Sequence, residues 1–243
     1  MQPCIDIHCH IMPGVDDGSP DMRTSLKMLQ IAASEGIVAV ILTPHHKPMH
    51  HNVSPEHALY RRDELKEAAG ALGIKIRLLT GCEVYYSGET ADELANGSIA
   101  TLAGSRYVLI EFHPADQYST IRSAVYTVQS QGFMPVLAHV ERYQDIAEHP
   151  EHVTELRDMG CVIQVNAGSV MGRFGGGAKR FTRGLMDKGL VHIVATDAHD
   201  SAHRSPKIAD CREYVGKHWG ELFANDVFYN NPLRILKHEE IVL

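Results

Sequence analysis

Seven short runs rich in Val, Ile and Leu recur along the chain, each parted from the next by a stretch with helical patterning. That alternation restricts the fold to a few parallel α/β architectures. The runs are Cys4–His8, Val38–Thr43, Ile76–Gly81, Tyr107–Phe112, Met134–His139, Val162–Asn166 and Val191–Thr196. Runs apolar at successive positions read as strands buried on both faces. In the first intervening stretch, Ser19-Pro20 reads as an N-cap with a first-turn proline. Met22, Leu26, Leu29 and Ala33 then share one face, and Gly36 ends the helix. Gly73, Gly132, Gly160 and Gly189 each precede a later strand, where a helix C-cap belongs. Seven such units with short connections favour a TIM-like barrel over an open sheet, and residues 1–243 read as one domain without internal repeats. Two irregular loops, His45–Ser54 and the glycine-rich Gly168–Gly177, fall on the face that carries the strands' C-terminal ends.

A net charge of -7 argues against a general nucleic-acid binder. No apolar run is long enough to span a bilayer, and the start of the chain has no basic stretch followed by an apolar core, so the expected location is the cytoplasm. The cysteines (Cys4, Cys9, Cys82, Cys161, Cys211) are odd in number and form no Cys-x-x-Cys pair, which excludes a disulfide framework and a zinc knuckle.

The 16 histidines carry the functional signal, because many stand beside Asp or Glu where an apolar run ends. The first run ends in Asp6-Ile7-His8-Cys9-His10, followed by Asp16-Asp17. Later runs end in Thr43-Pro44-His45-His46, Gly81-Cys82-Glu83, Glu111-Phe112-His113, His139-Val140-Glu141-Arg142, Asn166 and Thr196-Asp197-Ala198-His199. In a barrel these groups converge on one mouth, and several buried carboxylates there call for cations. Nitrogen and oxygen ligands without thiolates suit Mn, Fe or Zn. Each element has a plainer reading: His8-x-His10 as a core pair, Glu83 as a solvated strand end, Asp197 as a helix cap. Their recurrence at successive strand ends is what favours metal binding. His50, His51 and His57 read as solvated loop or helix-start residues, His50 being within reach of a substrate. His149, His152, His218 and His238 read as helix-surface residues, Cys9 and Cys82 as small packing residues, and Leu233–Leu243 as a segment against the barrel wall.

The DIHCH start, TPHH turn and TDAH end resemble the polymerase-and-histidinol-phosphatase superfamily. The added segments HIMPGVDDGS, GCEVYY, LIEF, AHVERY and VNAGSVMGRFG resemble its bacterial CpsB/YwqE-type protein-tyrosine phosphatases, in order from residue 6 to about 204. The resemblance implies a distorted (β/α)7 barrel holding three divalent ions, manganese foremost. By position, His8, His10, Glu83 and Asp197 would hold the first ion, and Glu83 would bridge to a second held by Glu111 and His139. Asp17, His45 and His199 would hold the third, while Arg142 and Arg204 would grip the phosphate. Asp17 rather than Asp16 matches the place before Gly18. Val140 stands where proline is usual, Asp200 where Asn is common, and His113 is an added histidine.

These expectations amount to a phosphotyrosine phosphatase in which a metal-bridging hydroxide attacks phosphorus directly. No cysteine has Arg six positions later, so the cysteine-phosphatase loop is absent. The resemblance further implies a phosphotyrosine protein as partner, a bacterial tyrosine kinase of capsule or exopolysaccharide synthesis among the candidates. Two alternatives stay open: a histidinol-phosphatase-like hydrolase of small phosphate monoesters, and an inactive barrel serving as a binding module.

Overall fold

Every apolar run becomes a strand, and all the paired strands are parallel. The computed structural model describes residues 2–243. Its strands are β1 (Cys4–Cys9), β2 (Ile37–Leu42), β3 (His45–His46), β4 (Arg77–Thr80), β5 (Glu83–Tyr85), β6 (Tyr107–Glu111), β7 (Met134–Leu137), β8 (Val162–Asn166) and β9 (Ile193–Ala195). The short β3 and β5, which lie beyond the expected runs, continue β2 and β4 after a break. Pro44 lacks an N–H and interrupts the first ladder. At Gly81 a Cβ would lie 3.0 Å from Leu102 and 3.1 Å from Ile41, a tight approach that glycine makes without displacing either neighbour. The pairing runs β1-β2-β4 and then β3-β5-β6-β7-β8-β9. The last strand returns to the first: Asp197 N–H donates to the His8 carbonyl at 2.9 Å, and His10 N–H to the Ala198 carbonyl at 2.8 Å. The result is a distorted barrel with seven staves.

Between and after the strands run α1 (Met22–Ser34), α2 (Pro55–Ala71), α3 (Thr90–Asn96), α4 (Tyr118–Ser130), α5 (Gln144–Glu148), α6 (Glu151–Asp158), α7 (Ala167–Val170), α8 (Gly176–Asp187), α9 (Ala209–Trp219), α10 (Glu221–Asn225) and α11 (Asn231–Leu236). The cap of α1 differs from expectation. Asp21, not Ser19, accepts the Thr24 N–H at 2.8 Å, while Ser19 is tied back by its N–H to the His10 carbonyl. Ala33 is exposed, and Met28, Leu29 and Ala32 supply the buried stripe. The five expected helix-ending glycines, Gly36, Gly73, Gly132, Gly160 and Gly189, all adopt positive φ. Gly168–Gly177 is not a loop throughout: α7 takes its first residues, and Gly176 and Gly177 open α8.

Side chains alternate across each strand and sort into two apolar layers. Val40, Leu42, Val108, Ile110, Ile163 and Val165 point outward to Met28, Leu29, Ile121, Val125 and Leu185 of the helices. Ile5, Ala39, Ile41, Leu109, Val136 and Ile193 point inward. Ile235, Leu236 and Ile241 join this inner layer, so the C-terminal segment plugs the floor of the barrel instead of lying on its wall. The Tyr107 hydroxyl fastens it there, donating to the Glu239 carbonyl at 3.0 Å and accepting from Ile241 N–H at 2.8 Å.

Candidate metal centre

Above the inner apolar layer the same inward positions turn polar. Glu83 follows β4's inward Leu79 by two alternations, Glu111 follows Leu109 by one, and Asn166 ends the series begun by Val162 and Gln164. β1 reaches the mouth through a bulge: Asp6 pairs with Val40 but Cys9 with Leu42, so one extra residue lies between them. The bulge breaks alternation and lets both His8 and His10 face the centre.

Glu83, 1% exposed, is the hub. Its two oxygens lie 3.2 Å from His8 Nε2, 3.3 Å from His10 Nε2, 2.8 Å from His139 Nε2 and 3.0 Å from His45 Nδ1. Asp197 Oδ1 stands 3.5 Å from both His8 Nε2 and His10 Nε2. Glu111 is 3.3 Å from His139 Nε2 and 3.6 Å from His45 Nδ1. Asp17 Oδ1 lies 3.3 Å from His45 Nε2 and 3.8 Å from His199 Nε2. All the candidate ligands read from the sequence therefore meet. Their donor atoms fall into four overlapping groups within 4.8 Å: His10, Asp17, His45 and His199; His8, His10 and Asp197; His8, Glu83 and His139; His45, Glu83 and Glu111.

The donor set fits divalent ions on three grounds. First, polar neighbours hold three of the imidazoles by Nδ1 and leave Nε2 inward. Gln164 Oε1 takes His8 Nδ1 at 3.1 Å, Asp16 Oδ2 takes His10 Nδ1 at 2.7 Å, and the Asp197 carbonyl takes His199 Nδ1 at 3.0 Å. Such bonds fix the tautomer and leave the other nitrogen's lone pair for a metal. Second, Glu83 Oε2 and His45 Nδ1 are buried and, although 3.0 Å apart, make no hydrogen bond, which is costly unless a cation serves them. Third, His139 and Asp197 take left-handed φ values of 31° and 51°, strain that the rest of the site sustains at two of these residues.

The electrostatics agree. Burial would raise the Glu83 and Asp197 carboxyls, but the surrounding imidazoles, with Arg142 beside Asp197, hold both well below the usual range. Burial and Arg142 oppose the charge on His139, yet Glu111 and Glu83 raise it to about 9. His10 is likewise driven up, against burial, by Asp16, Asp197 and Glu83. His199 runs the other way: burial, with the charge on His10 adding to it, lowers it to about 3, so the centre favours positive charge at some of its imidazoles and not at others.

Arg142 and Arg204 both reach Asp197 Oδ2, at 2.5 and 2.8 Å, and each side chain remains 32% exposed. Neither is therefore in a purely surface ion pair. The Asp200 carboxylate accepts the Arg204 N–H at 3.1 Å and so folds this loop back over the centre. His113 is exposed outside the cluster, with Nδ1 accepting from Ala115 N–H at 3.2 Å, and Val140 is buried in the outer apolar layer. His152 is half-buried and stacks on Tyr118 at 3.7 Å, where a surface position was expected.

Gln164 escaped the sequence reading, and Asp16 and Asp6 were named there without a positioning role. Gln164 accepts from both His8 and the His139 N–H, its amide donates to Asn166 Oδ1, and Asn166 in turn donates to Asp197 Oδ2 at 2.9 Å. Asp16 orients His10 and accepts the His45 N–H. Asp6, fully buried, accepts from Thr196 N–H and Oγ1 and closes β1 onto the β9 end. A glutamine inside the apolar strand VIQVN was the available signal for the first. Gly18 is needed here as well, since a Cβ would sit 2.3 Å from the His10 Cβ.

A family model described as capsular polysaccharide synthesis, CpsB/CapC, matches residues 4–237. The chain is 34% identical to tyrosine-protein phosphatase YwqE of Bacillus subtilis, over 98% of each chain. It is 31% identical to tyrosine-protein phosphatase CpsB of Streptococcus pneumoniae, covering 98% of this chain and all of that one. Its structure is similar to one reported with YwqE and CpsB as metal-dependent tyrosine phosphatases, with TM-score 0.93, 32% identity, and coverage of 98% and 96%. A zinc-containing histidinol phosphate phosphatase from Lactococcus lactis shares the fold at TM-score 0.57 and 14% identity, over 86% of this chain and 94% of that one. The chain belongs to the CpsB/CapC family of capsular polysaccharide synthesis.

Proposed function

We propose that this chain is a metal-dependent protein-tyrosine phosphatase, a phosphoric monoester hydrolase acting as a single barrel domain. The observation that carries this reading is the hub of Glu83 and Asp197, buried among four inward-facing imidazoles and bordered by two half-exposed arginines. His8, His10, Glu83 and Asp197 would hold one divalent ion, Glu83, Glu111 and His139 a second, and Asp17, His45 and His199 a third. Manganese is the proposed ion, with iron and zinc compatible with the same donors. Such ions supply Lewis acidity, polarising phosphoryl oxygens and making water a nucleophile near neutral pH.

The chain's own residues do the rest. Arg142 and Arg204 present planar donors at the rim to the phosphoryl oxygens, the geometry in which arginine outperforms lysine. Gln164, Asn166 and Asp16 hold the ligands in register. Asp17 is 64% exposed, so the mouth is open enough for a phosphotyrosine on an extended segment. Phenolate leaves more readily than alkoxide, which favours phosphotyrosine over phosphoserine. The proposed substrate is a phosphotyrosine protein, a bacterial tyrosine kinase of capsule or exopolysaccharide synthesis among the candidates. The five cysteines are free and buried, as suits a reducing compartment, and the proposed location is the cytoplasm.

The test is metal quantification on purified protein, followed by competition at saturating Mn between a phosphotyrosine peptide and histidinol phosphate. Preferred hydrolysis of the peptide is expected. Efficient turnover of histidinol phosphate with negligible peptide hydrolysis would move the protein to the small-monoester branch while keeping its metal centre.

A further inference from the structure

A cavity of about 400 Å³ opens beside the metal centre between the first loop and β3, walled by Asp17, His45, Lys47, His50, His51 and Asn52. It shares Asp17 and His45 with the candidate ligands, so whatever fills it lies within a side chain's reach of the reacting phosphoryl group. One side of it carries a fixed positive charge, Lys47, and the other side carries Asp16 and Asp17. Between Pro44 and Pro55 the chain has Lys47 and four histidines (His45, His46, His50, His51) and no Asp or Glu, in a protein of net charge -7.

Lys47 is the fixed charge in that wall. It is half-buried and lies within 4 Å of no carboxylate among the described residues. Of the two carboxylates in the cavity wall, Asp16 is taken by His10, Gly18 N–H and His45 N–H, while Asp17 has one oxygen beside His45 and His199 and is otherwise exposed. The backbone that carries Lys47 is also built. Asn52 brackets it, Oδ1 accepting the Lys47 N–H at 2.8 Å and Nδ2 donating to the Lys47 carbonyl at 2.9 Å. The His50 ring nitrogen closes the turn on the Pro48 carbonyl at 2.9 Å. A lysine whose stem is partly buried and whose ammonium has no carboxylate partner, on a turn held by side-chain bonds, is placed to meet an external anion.

We infer that this cavity is a subsite for an anionic side chain next to the phosphotyrosine, and that Lys47 is the residue that reads its charge. The inference rests on the phosphatase reading and adds a sequence preference to it. Carboxylate and a second phosphotyrosine are the two sources of that charge, and peptides distinguish them.

The experiment uses three peptides with phosphotyrosine flanked by Gln, by Glu, or by a second phosphotyrosine, each also made with a non-hydrolysable phosphonate. Fluorescence anisotropy measures phosphonate binding to the Mn-loaded protein, and kcat/KM is measured on the phosphopeptides. The wild type is expected to prefer the anionic neighbours by about tenfold, the size of one charge-assisted contact. Lys47→Arg should keep that ratio, Lys47→Met should bring it near one, and Lys47→Glu should invert it. Lys75→Glu, exposed at the other end of the barrel beside β4, should leave it unchanged. Preference confined to the second phosphotyrosine would assign the subsite to a phosphate dianion. A wild-type ratio near one, or a ratio that survives Lys47→Glu, overturns the inference. Because the binding ratio is read without turnover, it decides the subsite even if the peptides are not hydrolysed, an outcome that would instead overturn the phosphatase reading.

Discussion

The mouth and the floor of this barrel are made by the same strands, yet they solve opposite problems. At the floor, inward positions are Ile5, Ala39, Leu109, Val136 and Ile193, sealed by Ile235, Leu236 and Ile241. One or two alternations further along, the inward positions are Glu83, Glu111, Gln164, Asn166 and Asp197. The two histidines that best mark the contrast are both buried. His139 at the mouth is raised to about 9 by Glu111 and Glu83, which overcome burial and Arg142. His192, before β9, is lowered to about 4 by burial, with Arg157 adding to it. Burial by itself therefore does not set a side chain's charge here; its partners do. The floor stabilises the fold, and the mouth uses that stability to keep like and unlike charges crowded without collapse.

The comparison is broken most severely at its hub. Glu83→Gln should lower kcat/KM by about 1,000-fold or more, because one carboxylate lies among four imidazoles and would share the proposed ions with them. Metal content, read by elemental analysis, should fall with it, and the rise in melting temperature on adding Mn should shrink. Unchanged metal content and turnover would show that Glu83 is a structural carboxylate. Next in size are the rim arginines. Arg142→Ala or Arg204→Ala should cost about 10–1,000-fold in kcat/KM with bound metal retained, since each removes one charged donor at the phosphoryl position. Arg→Lys should recover only part of the loss. Unaltered kinetics in both single variants would leave them as partners of Asp197 alone.

The unequal legibility of the two ends has a physical basis. His8, His10, His45, Glu83, Glu111, His139, Asp197 and His199 stand out in sequence because charged groups at the ends of apolar runs have few structural reasons to be there. Arg142 and Arg204 came only with the family resemblance, since an arginine in a loop has many ordinary explanations. Gln164 was hidden because its role depends on His8 and on the His139 N–H, both remote in sequence. At the floor, the tail's apolar residues carry no periodicity that separates an inner plug from an outer wall, so Leu233–Leu243 was assigned to the wrong surface. Ser19 was misread as a cap for a related reason. Its N–H and hydroxyl are held by His10, Asp21 and Ser25, contacts that local pattern does not reveal.

Floor substitutions should do the reverse of mouth substitutions. Ile241→Ala removes a side chain that is 4% exposed and should destabilise the protein by about 2–4 kcal/mol. Tyr107→Phe, losing the two hydrogen bonds that fasten the tail, should cost about 1–3 kcal/mol. Both should leave kcat/KM within about twofold at a temperature where the variants remain folded, because no floor residue touches the centre. Loss of activity in step with loss of stability at such a temperature would mean that the two ends are coupled through the strands.

The smallest expected effect on turnover concerns His192 and sharpens the contrast with His139. His192 Nδ1 accepts the Ile163 N–H at 2.9 Å, so the ring must stay neutral in the native state. Its ordinary value of 6.5 is lowered on folding to about 4 by burial and Arg157. As the pH falls from about 6.5 to about 4, the unfolded chain takes up a proton that the folded chain refuses, so stability falls across that window and this contribution changes no further below it. The contribution should be about 3 kcal/mol, read as the pH dependence of urea unfolding on metal-stripped protein. His192→Asn, whose amide oxygen can still take the Ile163 N–H, should flatten the curve between pH 4 and 6.5 while lowering stability at pH 8 only modestly. An identical slope in the two proteins would mean that the acid sensitivity resides in the mouth carboxylates and histidines, and that the floor's neutral histidine adds nothing to it.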